Sequence, residues 1–245
     1  MLVTTTVCQD QAIWLIRGNN VRVINIEFSR AHSSAFNGAG IKMVGTNLLV
    51  RNSRFFDNEN GILTAGRRNS HIIVTDSRFE RNGSCQMECA HGIYAGRVYR
   101  LVVKNSKFLG QKQGHHIKSR AYTTQILGNR IADGDEGTAS MAIDLPNGGN
   151  VDVSYNNIEK GPKAENYRLM ISIGEEARPA KGRRHPNLNP SQGLIFRNNV
   201  FVNRNPKRTL FIRNLTATPV MLRNNSFLGD GERVSGPVLR PAPRR

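Results

Sequence analysis

The chain has 245 residues and a mass of 27.3 kDa, with 35 Lys and Arg against 18 Asp and Glu, a net charge of +17 and a pI near 10.7. That length suits one large domain or two small ones, and no apolar run approaches the roughly 18 residues of a transmembrane helix. The positive field favours polyanionic partners, whether nucleic acid, acidic polysaccharide or an anionic cell surface, without choosing among them.

The opening MLVTTTVCQDQ lacks the basic and apolar regions of a signal peptide. From there a motif recurs: apolar, any, apolar, any, Asn, two residues, then Phe or Ile. It reads VRVINIEF, LLVRNSRF, IIVTDSRF, LVVKNSKF, TQILGNRI, VDVSYNNI, LIFRNNVF and VMLRNNSF, ending at Phe28, Phe55, Phe79, Phe108, Ile131, Ile158, Phe201 and Phe227. The alternation within each copy has the period of a strand with one buried face. Between copies lies a second apolar anchor, at Ile13, Ile41, Ile62, Ile93, Ile117, Ile143, Ile171 and Phe211, with Val238 as a ninth. A repeat of roughly 25 residues with Asn at a fixed corner predicts an all-β fold, a single-stranded right-handed parallel β-helix of about eight rungs. Asn suits the corner because it tolerates the left-handed backbone region and its amides ladder between rungs.

Other features interrupt the repeat. Cys85 and Cys89 in CQMEC either close a small loop or stay unpaired, and Cys8 stands apart. Residues 174–193 read as a long, basic, Pro-rich loop inserted in one β-helix domain spanning 1–245. Residues 236–245 read as a basic C-terminal tail.

In a parallel β-helix, equivalent residues of successive rungs lie about 4.8 Å apart, so columns matter more than sequence neighbours. With the second anchor inward, the positions one before, one after and three after it face outward. The column one after reads Trp14, Lys42, Leu63, Tyr94, Lys118, Asp144, Ser172 and Ile212. Adding His116 one before Ile117 and Arg120 three after it places Tyr94, His116, Lys118, Arg120 and Asp144 on three central rungs. Gly92, Gly96, Ala142 and Gly174 are expected to clear the floor around them, with His91, His115, Asn147 and Glu175 in support.

Such a set fits removal of the proton α to a carboxylate, the step shared by lyases and C5-epimerases of uronic-acid polymers. Arg or Lys neutralises the carboxylate and stabilises the enediolate. Lys, His or Tyr moves the proton. Lys118 is therefore assigned as base or neutraliser, Tyr94 and His116 as proton-transfer partners, Arg120 as carboxylate binder, and Asp144 as the group orienting Lys118. A glycoside hydrolase needs two facing carboxylates, for which only Asp144 and the less certain Glu175 or Glu176 stand ready. Nucleic-acid binding expects interleaved aromatic platforms, and Tyr94 and Trp14 are too far apart. No cofactor is expected; calcium would need several converging carboxylates and the groove supplies one.

Nearly the whole chain resembles the right-handed parallel β-helix proteins of the pectin lyase-like superfamily. The segments HGIYAG, GHHIKSRA and IDLPNGGNVDVSYNNIEKGP resemble a bacterial group of β-helix repeat proteins. Lys118–Ser119, followed a rung later by a strand and a Gly-rich turn, is similar to the chondroitinase B and alginate lyase family. The resemblance implies that Lys118 is a base and that an arginine near Asp144–Leu145–Pro146 is the acid. No arginine is there, which leaves Arg120 or Tyr94 as substitute, and the Asp-Pro-His-Asp signature of alginate epimerases is missing. The resemblance also implies a secreted, periplasmic or cell-surface protein. The resulting expectation is a monomer acting on acidic polysaccharide, with no membrane span and no nucleic-acid partner. The alternative is a non-catalytic carbohydrate-binding or structural module of a surface or phage-spike type.

Overall fold

A computed structural model describes residues 7–177 and 188–239. Among them the chain winds into a parallel β-solenoid of about eight turns, built on three parallel sheets. The first sheet stacks Ala12–Ile16, Ala39–Met43, Asn60–Thr64, Ile93–Ala95, His115–Ser119, Met141–Leu145, Leu169–Ile173, Thr209–Asn214 and Gly231–Ser235. The second runs from Val21–Ile24 to Val238–Leu239, and the third from Glu27–Ser29 to Ser226–Leu228. No helix among the described residues is long and apolar enough to cross a membrane.

All eight Phe or Ile anchors pair in register down the third sheet. Phe28, Phe55, Phe79 and Phe108 stack face to face at 5.1, 4.6 and 4.6 Å, each at most 1% exposed. Phe201 and Phe227 continue the column beyond Ile131 and Ile158. These side chains meet the inward residues of the other two sheets in one continuous core, because no rung can bury its apolar face alone.

Two adjacent residues divide the work expected of one corner Asn. The position three before each anchor has positive φ, from 47° at Asn52 to 67° at Gly128, which explains the Asn, Asp or Gly at every one of them except Tyr155, whose φ is 60°. The next residue carries the buried ladder. Asn129, Asn156 and Asn199 each donate an amide proton to the Oδ1 one rung on, at 2.9–3.0 Å. Ser53, Ser77 and Ser106 hold the same column earlier in the chain.

The second anchor is off by one residue at both ends. Trp14, not Ile13, pairs with Ile41, and Ile212, not Phe211, pairs with Ile171. The ninth member is Val234, since Val238 belongs to the second sheet and pairs with Val220. The column one before the anchor turns inward rather than outward. The amides of Gly61 and Ile62 both donate to the next rung, at His91 O and Gly92 O, so the strand bends there instead of alternating. A Cβ on Gly61 would stand 2.4 Å from Gly92 O and 2.8 Å from Phe79 Cδ1. Gly61→Ala is therefore expected to cost about 1–3 kcal/mol of stability, read as a lowered urea midpoint at unchanged slope.

The insertion expected over 174–193 falls largely on 178–187, outside the described residues. Its flanks are a short 3-10 turn at Glu175–Ala177 and Asn189, which bridges to Gly148. Of the expected tail, Val238–Leu239 form the last strand of the second sheet, and 240–245 lie outside the described residues. Cys85 and Cys89 are joined in a disulfide, and Cys8 is free.

Candidate functional site

The first sheet sets Tyr94, Lys118 and Asp144 directly beside one another on three successive rungs, and the same column continues through Ser172 to Arg213. Each follows an inward Ile, so period-2 alternation turns it outward. Lys118 Nζ lies 3.8 Å from Asp144 Oδ2 and 5.3 Å from the centre of the Tyr94 ring. Its side chain is 20% exposed, whereas that of Asp144 is 7% exposed. The ammonium thus stands at the mouth of the groove on a buried carboxylate.

Arg120, just past the end of the strand His115–Ser119, spans three partners. Its Nε donates to Tyr94 Oη at 2.9 Å, and one terminal nitrogen donates to Asn147 Oδ1 at 2.7 Å and Glu176 Oε1 at 2.8 Å. Asn147 is fully buried and anchors the guanidinium from the following rung. Glu175 meets Arg213, whose guanidinium also donates to Ser172 Oγ at 3.2 Å.

The histidines divide. His91 and His115, two before the anchor on adjacent rungs, stack at 4.8 Å and pack, buried, against the site side chains. His91 meets the Tyr94 ring edge-on at 5.4 Å, and His115 Nε2 approaches Asp144 Oδ2 at 3.6 Å. The His91 Nδ1 accepts the His115 amide at 3.0 Å, so its proton sits on Nε2. His116 does not face the groove. The bend before the anchor carries it inside, 1% exposed, where Nε2 bonds Asp133 Oδ1 at 2.8 Å. The expected role of His116 in proton transfer fails for that reason. Gly92 and Ala142, in the same column, face inward too and clear no floor.

Burial dominates the electrostatics. It pushes the Asp144 carboxyl up to about 6, against the opposing pull of Lys118 and Arg120 and with reinforcement from Glu175. It pushes His115 down to about 3, helped by Lys118 and Lys160, and holds His91 well below its usual value. Both imidazoles are neutral at neutral pH. The raised Asp144 value means that the folded state binds more protons than the unfolded chain between about pH 4 and 6. Its contribution to stability is full below that window and lost as pH rises through about 6.

Sequence reasoning missed Arg213, and it offered Glu176 only as an uncertain second carboxylate, not as a partner of Arg120. Arg213 entered the column only when the last anchor moved from Phe211 to Ile212. Glu176 lies in the 3-10 turn after a strand, where alternation gives no direction. Among the described residues no three His, Cys, Asp or Glu side chains gather as a metal-binding group. A cavity of about 550 Å³ lies away from this groove on the outer face of the third sheet, where Arg54, Arg78 and Arg81 pair with Glu27, Glu80 and Asp57. No protein-family model, curated protein or solved structure matches the chain.

Proposed function

We propose that this groove binds a uronic-acid polymer and removes the proton at C5, with β-elimination across C4–C5 as the favoured outcome. The observation that carries the reading is the Lys118 ammonium, held half-sheltered between the Tyr94 ring and the Asp144 carboxylate. A fixed cation in a sheltered site stabilises the negative charge that builds on the uronate carboxylate as C5 loses its proton. Asp144 holds the Lys118 ammonium in place, which favours Lys118 as neutraliser over base. Arg120, pinned by Asn147 and Glu176, presents Nε to the Tyr94 oxygen. That oxygen is the proton-transfer group: reacting as the phenolate, with Arg120 Nε donating to it, it takes the C5 proton, the C5–H electron pair forms the C4–C5 double bond as the C4–O bond breaks, and the resulting phenol returns its proton to the departing glycosidic oxygen on the same face. One such oxygen on one face suits elimination, since epimerisation needs a second donor on the opposite face. His91 and His115, neutral and stacked, serve as a dry wall beside Asp144. The Cys85–Cys89 disulfide supports an oxidising compartment, in keeping with a secreted or cell-surface protein.

The test is a panel of alginate, pectate, glucuronan and glycosaminoglycans, read by the ultraviolet absorbance of an unsaturated product and by C5 exchange in heavy water. Product from one polymer supports elimination, and exchange without product points to epimerisation. Binding with neither leaves a non-catalytic module. If elimination is seen, kcat/KM is expected to fall below about pH 6, where Asp144 takes a proton and Lys118 loses its partner. Asp144→Asn should flatten that acid limb.

A further inference from the structure

At the corner where the first sheet hands over to the second, Arg68, Arg97 and Arg120 come from three successive rungs and line a cavity of about 230 Å³. Tyr99 and Tyr122 form one wall, stacked at 5.8 Å with planes 19° apart, and His71 extends that aromatic column at 5.2 Å from Tyr99. Asn189 closes the far side. Its amide donates to Ala121 O at 3.0 Å and Arg120 O at 3.3 Å, and its backbone N–H donates to Asn147 O at 2.9 Å.

The charge pattern separates this cavity from the larger one on the third sheet. There, each of Arg54, Arg78 and Arg81 meets a carboxylate within the wall. Here, among the described residues, no acidic side chain lines the cavity and no carboxylate pairs with Arg68 or Arg97, although Arg120 is paired with Glu176 from the groove side. Unneutralised guanidinium groups in a concave site focus positive potential on whatever enters it. The Tyr faces, 43% exposed at Tyr99, offer a platform for a ring with an apolar C–H side. An anion with such a ring satisfies both walls at once: the fork of Arg97 or Arg68 takes a carboxylate through two parallel N–H bonds while the ring packs on tyrosine.

We propose that this corner cavity is a second sugar-binding position, selective for an anionic pyranose, adjoining the groove of Lys118 and Asp144. It rests on the polyuronate reading and extends it: Arg120 touches both places, its side chain facing the groove and its carbonyl held by Asn189. The polymer therefore lies along the strand direction, from Asp144 past Arg120 to the tyrosine corner, rather than along the solenoid axis. Specificity for a charged neighbour is set there, away from the reacting sugar.

Calorimetric titration with tetrasaccharides of galacturonate and of mannuronate, each beside its carboxyl-reduced neutral form, tests this. The unmodified chain should bind at least one charged tetrasaccharide about tenfold or more tightly than its reduced form, with affinity falling as salt rises. Arg97→Ala should remove most of that discrimination, Arg68→Ala should do the same in part, and Tyr99→Ala should weaken charged and reduced forms alike. Circular dichroism of each variant confirms the fold, and Arg68→Ala carries the test if Arg97→Ala does not fold. Unchanged discrimination in the folded arginine variants overturns the proposal, as does failure of both charged tetrasaccharides to bind. Tighter, Arg97-dependent binding of a single-stranded DNA hexanucleotide overturns it in favour of nucleic acid. The proton-transfer reading fails separately, through product formation, so charged-sugar discrimination without turnover sinks that reading and keeps this one.

Discussion

Lys118→Ala is expected to lower kcat on the preferred polyuronate by about 10³-fold while leaving KM within a factor of a few. The reason lies in where the charge develops. The ground-state carboxylate is already solvated and meets Arg120 as well, so removing one cation costs little binding. As C5 loses its proton, however, charge moves onto the carboxylate oxygens, and the Lys118 ammonium, 3.8 Å from Asp144, is the cation that a single-carboxylate contact leaves with donors to spare. Lys118→Arg keeps the charge but replaces a point donor with a planar fork, so a partial recovery is expected. Burial matters to the outcome as well: Asp144 left without Lys118 loses its strongest stabilising charge, and its carboxyl rises further. Steady-state kinetics on the unsaturated product, with matching thermal melts, check this. Equal turnover by Lys118→Ala and the unmodified chain would remove Lys118 from the mechanism, and a rise in KM alone would make it a binding residue.

The sequence made the solenoid legible because its strongest signals are columns. A Phe or Ile at one position per rung has nowhere to go but the core, and the left-handed corner three residues earlier admits few residue types. Both can be counted from spacing alone, and all eight anchors pair as the spacing requires. Lys118, Tyr94 and Asp144 were legible for the same reason: each directly follows an anchor, and one step of alternation fixes its direction. What failed were inferences that crossed the bend before the anchor. Alternation sends His116 outward, but the strand turns between Gly92 and Ile93 and between their equivalents, so two consecutive residues face inward. The histidines that reach Tyr94 and Asp144 are consequently His91 and His115, one residue earlier. At the ends of the stack the apolar pairs Ile13–Trp14 and Phe211–Ile212 leave the anchor undetermined by one residue, and register alone decides it. Glu176 and Asn189 reach Arg120 from turns, where no period operates.

The misplaced His116 leads to the second large effect, which is one of stability. Asp133→Ala is expected to lower unfolding free energy by about 3–5 kcal/mol, because it strands two buried donors at about 1–3 kcal/mol each and removes the charge that opposes the burial of Lys160. Asp133 follows the third-sheet strand Arg130–Ala132, is 4% exposed, and binds two donors: His116 Nε2 through Oδ1 at 2.8 Å and the Gly161 amide through Oδ2 at 2.9 Å. Next to Gly161 sits Lys160, 2% exposed, whose ammonium donates to Ser140 O and Asn166 O. Burial pushes Lys160 down to about 8, and the negative charge of Asp133 is what opposes that fall. Alanine at 133 strands the imidazole and the Gly161 amide and leaves the ammonium with carbonyls but no counter-charge. Lys160 also gives the loss a pH signature. Its folded value lies below its unfolded value, so the folded state holds fewer protons between about pH 8 and 10.5, and the penalty shrinks as pH rises through that window. With Asp133 gone the Lys160 value drops further, and the gain in stability on raising pH should begin below pH 8 and be larger. Urea unfolding of the two proteins across that range measures it. Activity per folded molecule should change little, because this network lies inside the solenoid and His116 touches no groove residue through it. A loss of kcat in proportion to Lys118→Ala, at preserved stability, would return His116 and Asp133 to the reaction.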